Sequence, residues 1–344
     1  QQNYSMSFYT NQNQLLKIIQ KFKPDIIFND ILNTTSEYMK IINSFTNLIV
    51  NFEDLGSGAS QADLVFNPIF ELPKLKENTF SGFRIIFGIY LFIHLTMLVP
   101  YAHEIWSNIG ILSEASSNLT NGIFPNILNY FDAPFQVTLF VSLLTICAIF
   151  ITIGYKRALF SFILWYGWVC LFDRNNLISN PGIPFIGWLL LCCAIIPSGE
   201  ALSVSKAKKD WKLPKILFIG AWAIMAISYT LSGIDKFNSP SWFDGSAILH
   251  LLNNPLARDW FLHDLLLSLP KEFIYLMTWS ILALEILFLP LSIWSKTRKY
   301  AWLLMVLMHF GILLIVDFAD LTFGMLMIHA FTFDVNWIKK SHLN

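Results

Sequence analysis

Charge is what this chain has least of. Of its 344 residues only 13% are Asp, Glu, Lys or Arg, about half the share of an ordinary soluble domain. The 23 basic and 23 acidic residues cancel, so bulk electrostatics point to neither a nucleic acid nor an acidic partner. Cysteines number only four. Cys147, Cys170, Cys192 and Cys193 all sit inside apolar runs without metal-ligand spacing, which leaves them as small packing residues and offers no metal site. The loop from His103 to Phe135 contains no Lys or Arg at all, and neither an internal repeat nor a low-complexity tract is visible. The first residues, Gln1–Gln2, lack an initiator methionine and read as the start of a fragment.

What is abundant is apolar sequence: 55% hydrophobic residues and a mean hydropathy of +0.54. Runs of membrane-spanning length, with aromatic residues at their ends, predict an all-α polytopic membrane protein. The candidate spans are 83–102, 136–154, 158–172, 183–199, 214–232, 273–294, 300–316 and 318–333, about eight, with seven to nine compatible with the pattern. Several are short enough to be tilted, broken or re-entrant.

The first 76 residues follow another pattern. An amphipathic stretch at Gln14–Phe22, a second helical stretch at Thr35–Ser44, and the apolar runs Asp25–Asp30, Leu48–Asp54 and Ala62–Asn67 give the order α-β-α-β-β. This is the signature of part of a Rossmann-like parallel sheet, too small to bury a good core alone. The predicted organisation is a partial α/β segment over 1–76 and a transmembrane domain over 77–344.

Basic residues set the expected orientation. Lys156–Arg157, then Lys206, Lys208, Lys209, Lys212 and Lys215, then Lys296, Arg298 and Lys299 occupy alternate loops. Lys74, Lys76, Lys339 and Lys340 flank the ends on the same side. The positive-inside rule then places both termini in the cytoplasm and the segment from Gly233 to Glu272 outside.

Within that outer segment, SYTLSGIDKFNSPSWFDG (228–245) carries Lys236 at the outflow of an apolar helix, among Asp235, Trp242 and Asp244. A lysine beside a span is commonly a snorkelling anchor, yet such anchors concentrate on the cytoplasmic side. A lysine held partly dry can instead act as a general base. His309 and Glu285 fall mid-span, where an ionisable group either serves function or holds two helices together. Asp173, Arg174, Asp317, Asp320, His103 and Glu104 mark the outer boundary and would gather charge there together with Lys236. His94 and His329 read as packing histidines.

From about 78 to 338 the chain resembles the HTTM family, the membrane part of vitamin K-dependent γ-glutamyl carboxylase and its bacterial relatives. The likeness runs in order through FRIIFGIYLF, HEIWSNIGILSE, IGYKRALFSF, LFDRNNLISNPG, CCAIIPSGEALS, YTLSGIDKFNSPSWFDGSAI, LEILFLP and LMVLMHFGILLIVDFADLTFGMLMIHAF. The resemblance implies a bacterial inner-membrane protein, a lyase-type carboxylase or epoxidase dependent on reduced vitamin K or another quinol, without a metal. It implies that Lys236 is the base that deprotonates the quinol on the exoplasmic side, with His309 near the quinone. Asp173, Arg174, Trp242, Asp244, Glu285 and Asp317 would line the substrate or quinone pocket. Its partners would be membrane lipid, a quinone, and a peptide or small carboxylate. The segment after Asp173, NNLISNPG, departs from the carboxylase in having no histidine.

Residues 12–72 resemble, in KPDIIFNDILNTTSEYMKIINSFTNLIVNFEDLGSGASQADLVFNPIFE, nucleotide-sugar hydrolases and glycosyltransferase-like enzymes of pseudaminic-acid pathways. Their glycine-rich opening and nucleotide-binding half are not in the chain, so this part is expected to be catalytically inert. Three readings stay open at this point: the quinol-dependent enzyme, a non-catalytic membrane module binding a lipid, quinone or protein partner, and a cell-surface sugar-modifying enzyme.

Overall fold

The computed structural model describes residues 12–30, 34–52, 56–66, 77–118, 120–208 and 211–339, and divides the chain into two compact units, Gln1–Glu71 and Leu72–Asn344. Lys74, Lys76, Lys209 and Lys340, part of the loop-charge pattern, lie outside the described residues, as do the ends of the apolar runs beyond Phe52 and Phe66.

The first unit contains helix α1 (Gln12–Phe22), strand β1 (Ile26–Asp30), helix α2 (Ser36–Ile42) and strands β2 (Leu48–Phe52) and β3 (Leu64–Phe66). The Thr35 hydroxyl starts α2 by accepting a hydrogen bond from the Tyr38 N–H at 3.1 Å, satisfying a donor that has no partner within the helix. The strands pair in parallel in the order β1-β2-β3, with Ile26 opposite Leu48 and Val50 opposite Leu64. Ile19, Tyr38, Met39, Ile42 and Ile49 form a small core between helices and sheet. A polar rung crosses it: the Asn29 amide donates to Asn51 at 2.9 Å, and the Tyr38 hydroxyl donates to Asn29 at 3.1 Å. That rung fixes strand register, because a one-residue slip would strand both amides against apolar side chains.

The second unit is helical: α3 (Glu77–Leu98), α4 (Pro134–Ile153), α5 (Arg157–Arg174), α6 (Gly182–Ile195), α7 (Lys215–Phe237), α8 (Lys271–Ile293), α9 (Ser295–Ile315) and α10 (Ala319–Thr332). Each predicted span is therefore a helix. Among the described residues, however, five rather than eight are long and apolar enough to cross a membrane: Thr79–Trp106, Pro134–Ile153, Lys215–Phe237, Lys271–Ile293 and Ser295–Ile315. These five make this an integral membrane protein. α5 carries Arg157, Asp173 and Arg174 at its ends, and α6 and α10 have 14 residues each. Fourteen residues rise about 21 Å, short of a hydrocarbon core of about 30 Å.

Helix contacts are set by small residues. A Cβ at Gly88 would lie 2.8 Å from the Cα of Thr152, so α3 and α4 touch through backbone there. Gly233 does the same for α7 and α8, where a Cβ would meet the Ile286 nitrogen at 2.7 Å. Beside α3, three charged residues are buried together. Glu200 accepts from Arg157 Nε at 2.7 Å and lies 3.5 Å from Arg84 Nε. The remaining guanidinium nitrogens donate to backbone carbonyls: Arg84 to Ile151, Thr152 and Leu202, Arg157 to Cys193, Ile196 and Pro197. This cluster ties the start of α3 to the α4–α5 turn and to the loop after α6.

Candidate functional site: a polar seam on helix α7

Along one edge of the largely apolar helix α7, Tyr229, Gly233 and Lys236 recur at helical spacing. Lys236 belongs to the last turn of the helix rather than to the loop beyond it. Its Nζ donates to both oxygens of Glu285 on α8, at 2.5 and 2.7 Å. Gly233 permits this reach: without a side chain, the α7 backbone lies against Glu285 and Ile286. Glu285 is 4% exposed and Lys236 29%, so the carboxylate is sealed in the bundle while the lysine sits at its edge. The Ser232 hydroxyl donates to Glu285 at 3.4 Å, and the Lys236 ammonium stands 4.9 Å from the centre of the Trp242 ring. Snorkelling does not describe this lysine. It is held by a buried counter-charge and capped by an aromatic face.

Two turns back, about 10 Å along the axis, is the second part of the seam. The Tyr229 hydroxyl shares hydrogen bonds with Nε2 of His309 on α9, at 2.6 Å, and with Nε2 of His329 on α10, at 2.8 Å. All three side chains are buried. Phe288, one turn from Glu285 on α8, packs edge-on against the tyrosine with ring centres 5.0 Å apart. A hydroxyl has one proton. With both rings neutral, Tyr229 donates to one histidine and accepts an Nε2–H from the other. The two histidines therefore hold opposite tautomers, and interchanging them requires one Nδ1 to lose a proton while the other gains one. Their outer nitrogens, Nδ1 of His309 and Nδ1 of His329, have no hydrogen-bond partner.

The other boundary residues serve different contacts. Arg174 is buried and donates to the backbone carbonyls of Leu112 at 2.6 Å, Ser113 at 2.9 Å and Ser107 at 3.4 Å, pinning the loop after α3 that contains no Lys or Arg. Asp173 accepts from the Asn126 amide at 2.9 Å. Asp317 is exposed and pairs with Arg258 at 3.1 Å, while Arg258 Nε caps the α9 carbonyls of Leu313 and Val316. Asp244 accepts from the Ser246 N–H at 2.8 Å, and the Ser246 side chain first, then this N–H, hold its carboxyl below the usual range. His103 and Glu104 lie 3.8 Å apart on the surface, and His94 packs between Tyr90 and Trp168. The Asp320 side chain lies outside the described residues.

The structure thus joins Lys236 with Glu285 and Trp242, and places His309 on the same seam through Tyr229. Arg174, Asp173, Asp244 and Asp317 engage partners of their own. Tyr229 and His329 are the members that sequence reasoning missed. The only signal for Tyr229 was its seven-residue spacing from Lys236, and His329 read as an ordinary packing histidine. Comparison with protein-family models, with characterised proteins and with solved structures returns no match for this chain.

Proposed function

We propose that the helical unit is a quinol-dependent, carboxylase-like membrane enzyme in which Lys236 takes a proton from the hydroxyl of a reduced quinone. The observation that supports it is the Lys236–Glu285 pair, a charged group positioned by a buried partner at an accessible bundle edge. The seam suits such a ligand: hydrogen-bonding groups on Lys236, Tyr229 and His309 alternate with the aromatic faces of Trp242 and Phe288. When bound, the quinol would supply an oxidisable hydroxyl that reacts with oxygen once deprotonated.

The residues then divide the work. A base needs a neutral amine, so the Nζ proton passes first to Glu285, which turns the ion pair into two uncharged groups. Lys236 can next accept the hydroxyl proton, with Trp242 holding the lysine head in place. Tyr229 and its two histidines offer a second proton acceptor two turns deeper. The loop charges support an outward-facing Lys236 and cytoplasmic termini. Oxygen consumption with reduced vitamin K in lipid nanodiscs tests this: Lys236→Ala abolishes it while the protein stays folded. Unchanged consumption in that variant sinks the assignment of the base.

One observation favours a second reading. Glu285 binds Lys236 through both carboxylate oxygens, the geometry of a settled ion pair. In a non-catalytic module that pair would clasp two helices beside a site for lipid, quinone or a partner protein. That reading expects no oxygen consumption with any reduced quinone, and tolerance of Lys236→Arg.

A further inference from the structure

The loop between α6 and α7 carries Lys206, Lys208, Lys209, Lys212 and Lys215 against a single acid, Asp210. Lys156, in the α4–α5 turn, adjoins it. The Ser203 and Ser205 hydroxyls each donate to the Gly154 carbonyl at 2.9 Å, and the Val204 N–H donates to Ile153 at 2.9 Å. Lys156, Lys206, Lys208, Lys212 and Lys215 are exposed, and among the described residues none is paired with a carboxylate. Glu200, at the head of the loop, is buried and spent on Arg157 and Arg84.

The loop backbone is fixed at several points. Arg84 donates to the Leu202 carbonyl, and Arg157 to those of Ile196 at 2.9 Å and Pro197 at 3.1 Å. Trp211 is buried; its indole donates to the Pro197 carbonyl at 2.7 Å and stacks on Phe80 with ring centres 5.3 Å apart. With the serines turned inward, Leu202 and Val204 stand out, each 69% exposed. Leu202 has a φ of 51°, a left-handed backbone that leucine seldom takes.

Topology asks for positive charge in such a loop, but not for a fixed backbone or for unpaired lysines around exposed aliphatic side chains. The loop lies at the ends of α4 and α7, both of membrane length, where lipid headgroups meet the protein. An acidic protein or a nucleic acid would answer the charge and leave Leu202 and Val204 in water. A membrane interface takes both: aliphatic side chains enter the acyl boundary while lysines reach the phosphates.

We propose that the 202–215 loop, with Lys156, is a binding surface for anionic phospholipid headgroups. By the loop charges it lies in the cytoplasmic leaflet, on the opposite side from the Lys236 seam. The Arg84–Glu200–Arg157 cluster then holds the loop in its binding conformation, so that little backbone must be ordered when lipid arrives.

Two measurements on the full chain test this. The first places an NBD fluorophore on Val204→Cys in nanodiscs; the four native cysteines are buried and stay unlabelled. Doxyl groups attached near the lipid headgroup should quench the probe, and aqueous iodide should not. Quenching by iodide alone would overturn the proposal. The second uses native mass spectrometry to count bound phosphatidylglycerol against phosphatidylcholine from mixed micelles. The chain should prefer phosphatidylglycerol by about fivefold for each lysine engaged. Lys206→Gln/Lys208→Gln/Lys212→Gln/Lys215→Gln should lose that preference, whereas Lys296→Gln/Lys299→Gln, in the next basic loop, should keep it. No preference in the native chain, or equal loss in both variants, overturns the proposal. So does displacement of the lipid by inorganic phosphate, which would mark a free-anion site instead. The labelled chain keeps every lysine, so it remains decisive if the quadruple variant fails to insert.

Discussion

Two groups of buried charge in the helical unit have opposite characters. In the Arg84–Glu200–Arg157 cluster, carboxylate and guanidinium groups are almost fully sealed, and every guanidinium nitrogen except Arg84 Nε, which stands 3.5 Å from Glu200, donates to the carboxylate or to carbonyls from three segments. In the α7 seam, Lys236 stays partly exposed and two buried imidazole nitrogens lack partners. A nearly saturated cluster has little left to offer a ligand, whereas one with an accessible amine and unspent imidazole nitrogens retains groups that can exchange protons or accept a hydrogen bond. The two groups thus differ less in burial of charge than in how much of their hydrogen-bonding capacity is spent and how far their charges reach solvent.

Substitutions can break that contrast. The largest effect should come from Lys236→Ala, which on the proposed mechanism removes quinol-dependent oxygen consumption by a factor of about 10² or more; because it also strips buried Glu285 of its counter-charge, the Lys236→Ala/Glu285→Gln double variant, which leaves no buried charge unpaired, should be equally inactive yet unfold near the native temperature. Next is Glu200→Ala, expected to lower stability by about 3–5 kcal/mol, because it leaves two buried guanidiniums facing each other. Its readout is the unfolding transition rather than activity, and a near-neutral result would dissolve the distinction between the clusters. Tyr229→Phe comes third. It deletes the hydroxyl that both histidines share and should cost about 1–3 kcal/mol, with the histidine tautomers no longer coupled in ¹⁵N spectra. Asp317→Asn should be the mildest, at most about 1 kcal/mol, since its pair with Arg258 is exposed.

The saturated cluster also has a pH signature. Burial works against ionisation of Glu200, but the Arg157 hydrogen bond and charge, with the Gly199 N–H, outweigh it and hold the carboxyl below its usual range. A carboxylate lowered in the folded state stabilises above its unfolded pKa, and that contribution is lost as pH falls through the folded value. Stability should therefore be level near neutrality and decline in acid below the ordinary glutamate range. Glu200→Gln should flatten the decline, as measured by unfolding midpoints across pH.

Much of this was legible in the sequence. The α-β-α-β-β order of the first unit appeared in alternating apolar runs, and the helical intervals of the second in their hydropathy. The count of full-length spans was not, because hydropathy merges an apolar helix with the apolar turn that follows it. The 183–199 run is such a case: its helix ends at Ile195, and Ile196 already departs from helical backbone. The 158–172 run stopped just short of Arg157, Asp173 and Arg174, which the helix α5 includes at its ends. Arg84 was hidden for the reverse reason, being one cation inside an otherwise apolar helix whose partner lies far along the chain.

By itself the sequence determined the membrane class, through the scarcity of charge and the length of its apolar runs, and it singled out Lys236 as a lysine in an expensive place. Only the tertiary structure decided what that lysine meets. Glu285 lies 49 positions away, and the helix contact that brings it to 2.5 Å depends on the missing side chain of Gly233. Tyr229 likewise joins histidines 80 and 100 positions distant, from two different helices. Periodicity reports which face of a helix is polar; which faces meet is settled by packing between helices, a property of the fold that no local run of residues contains.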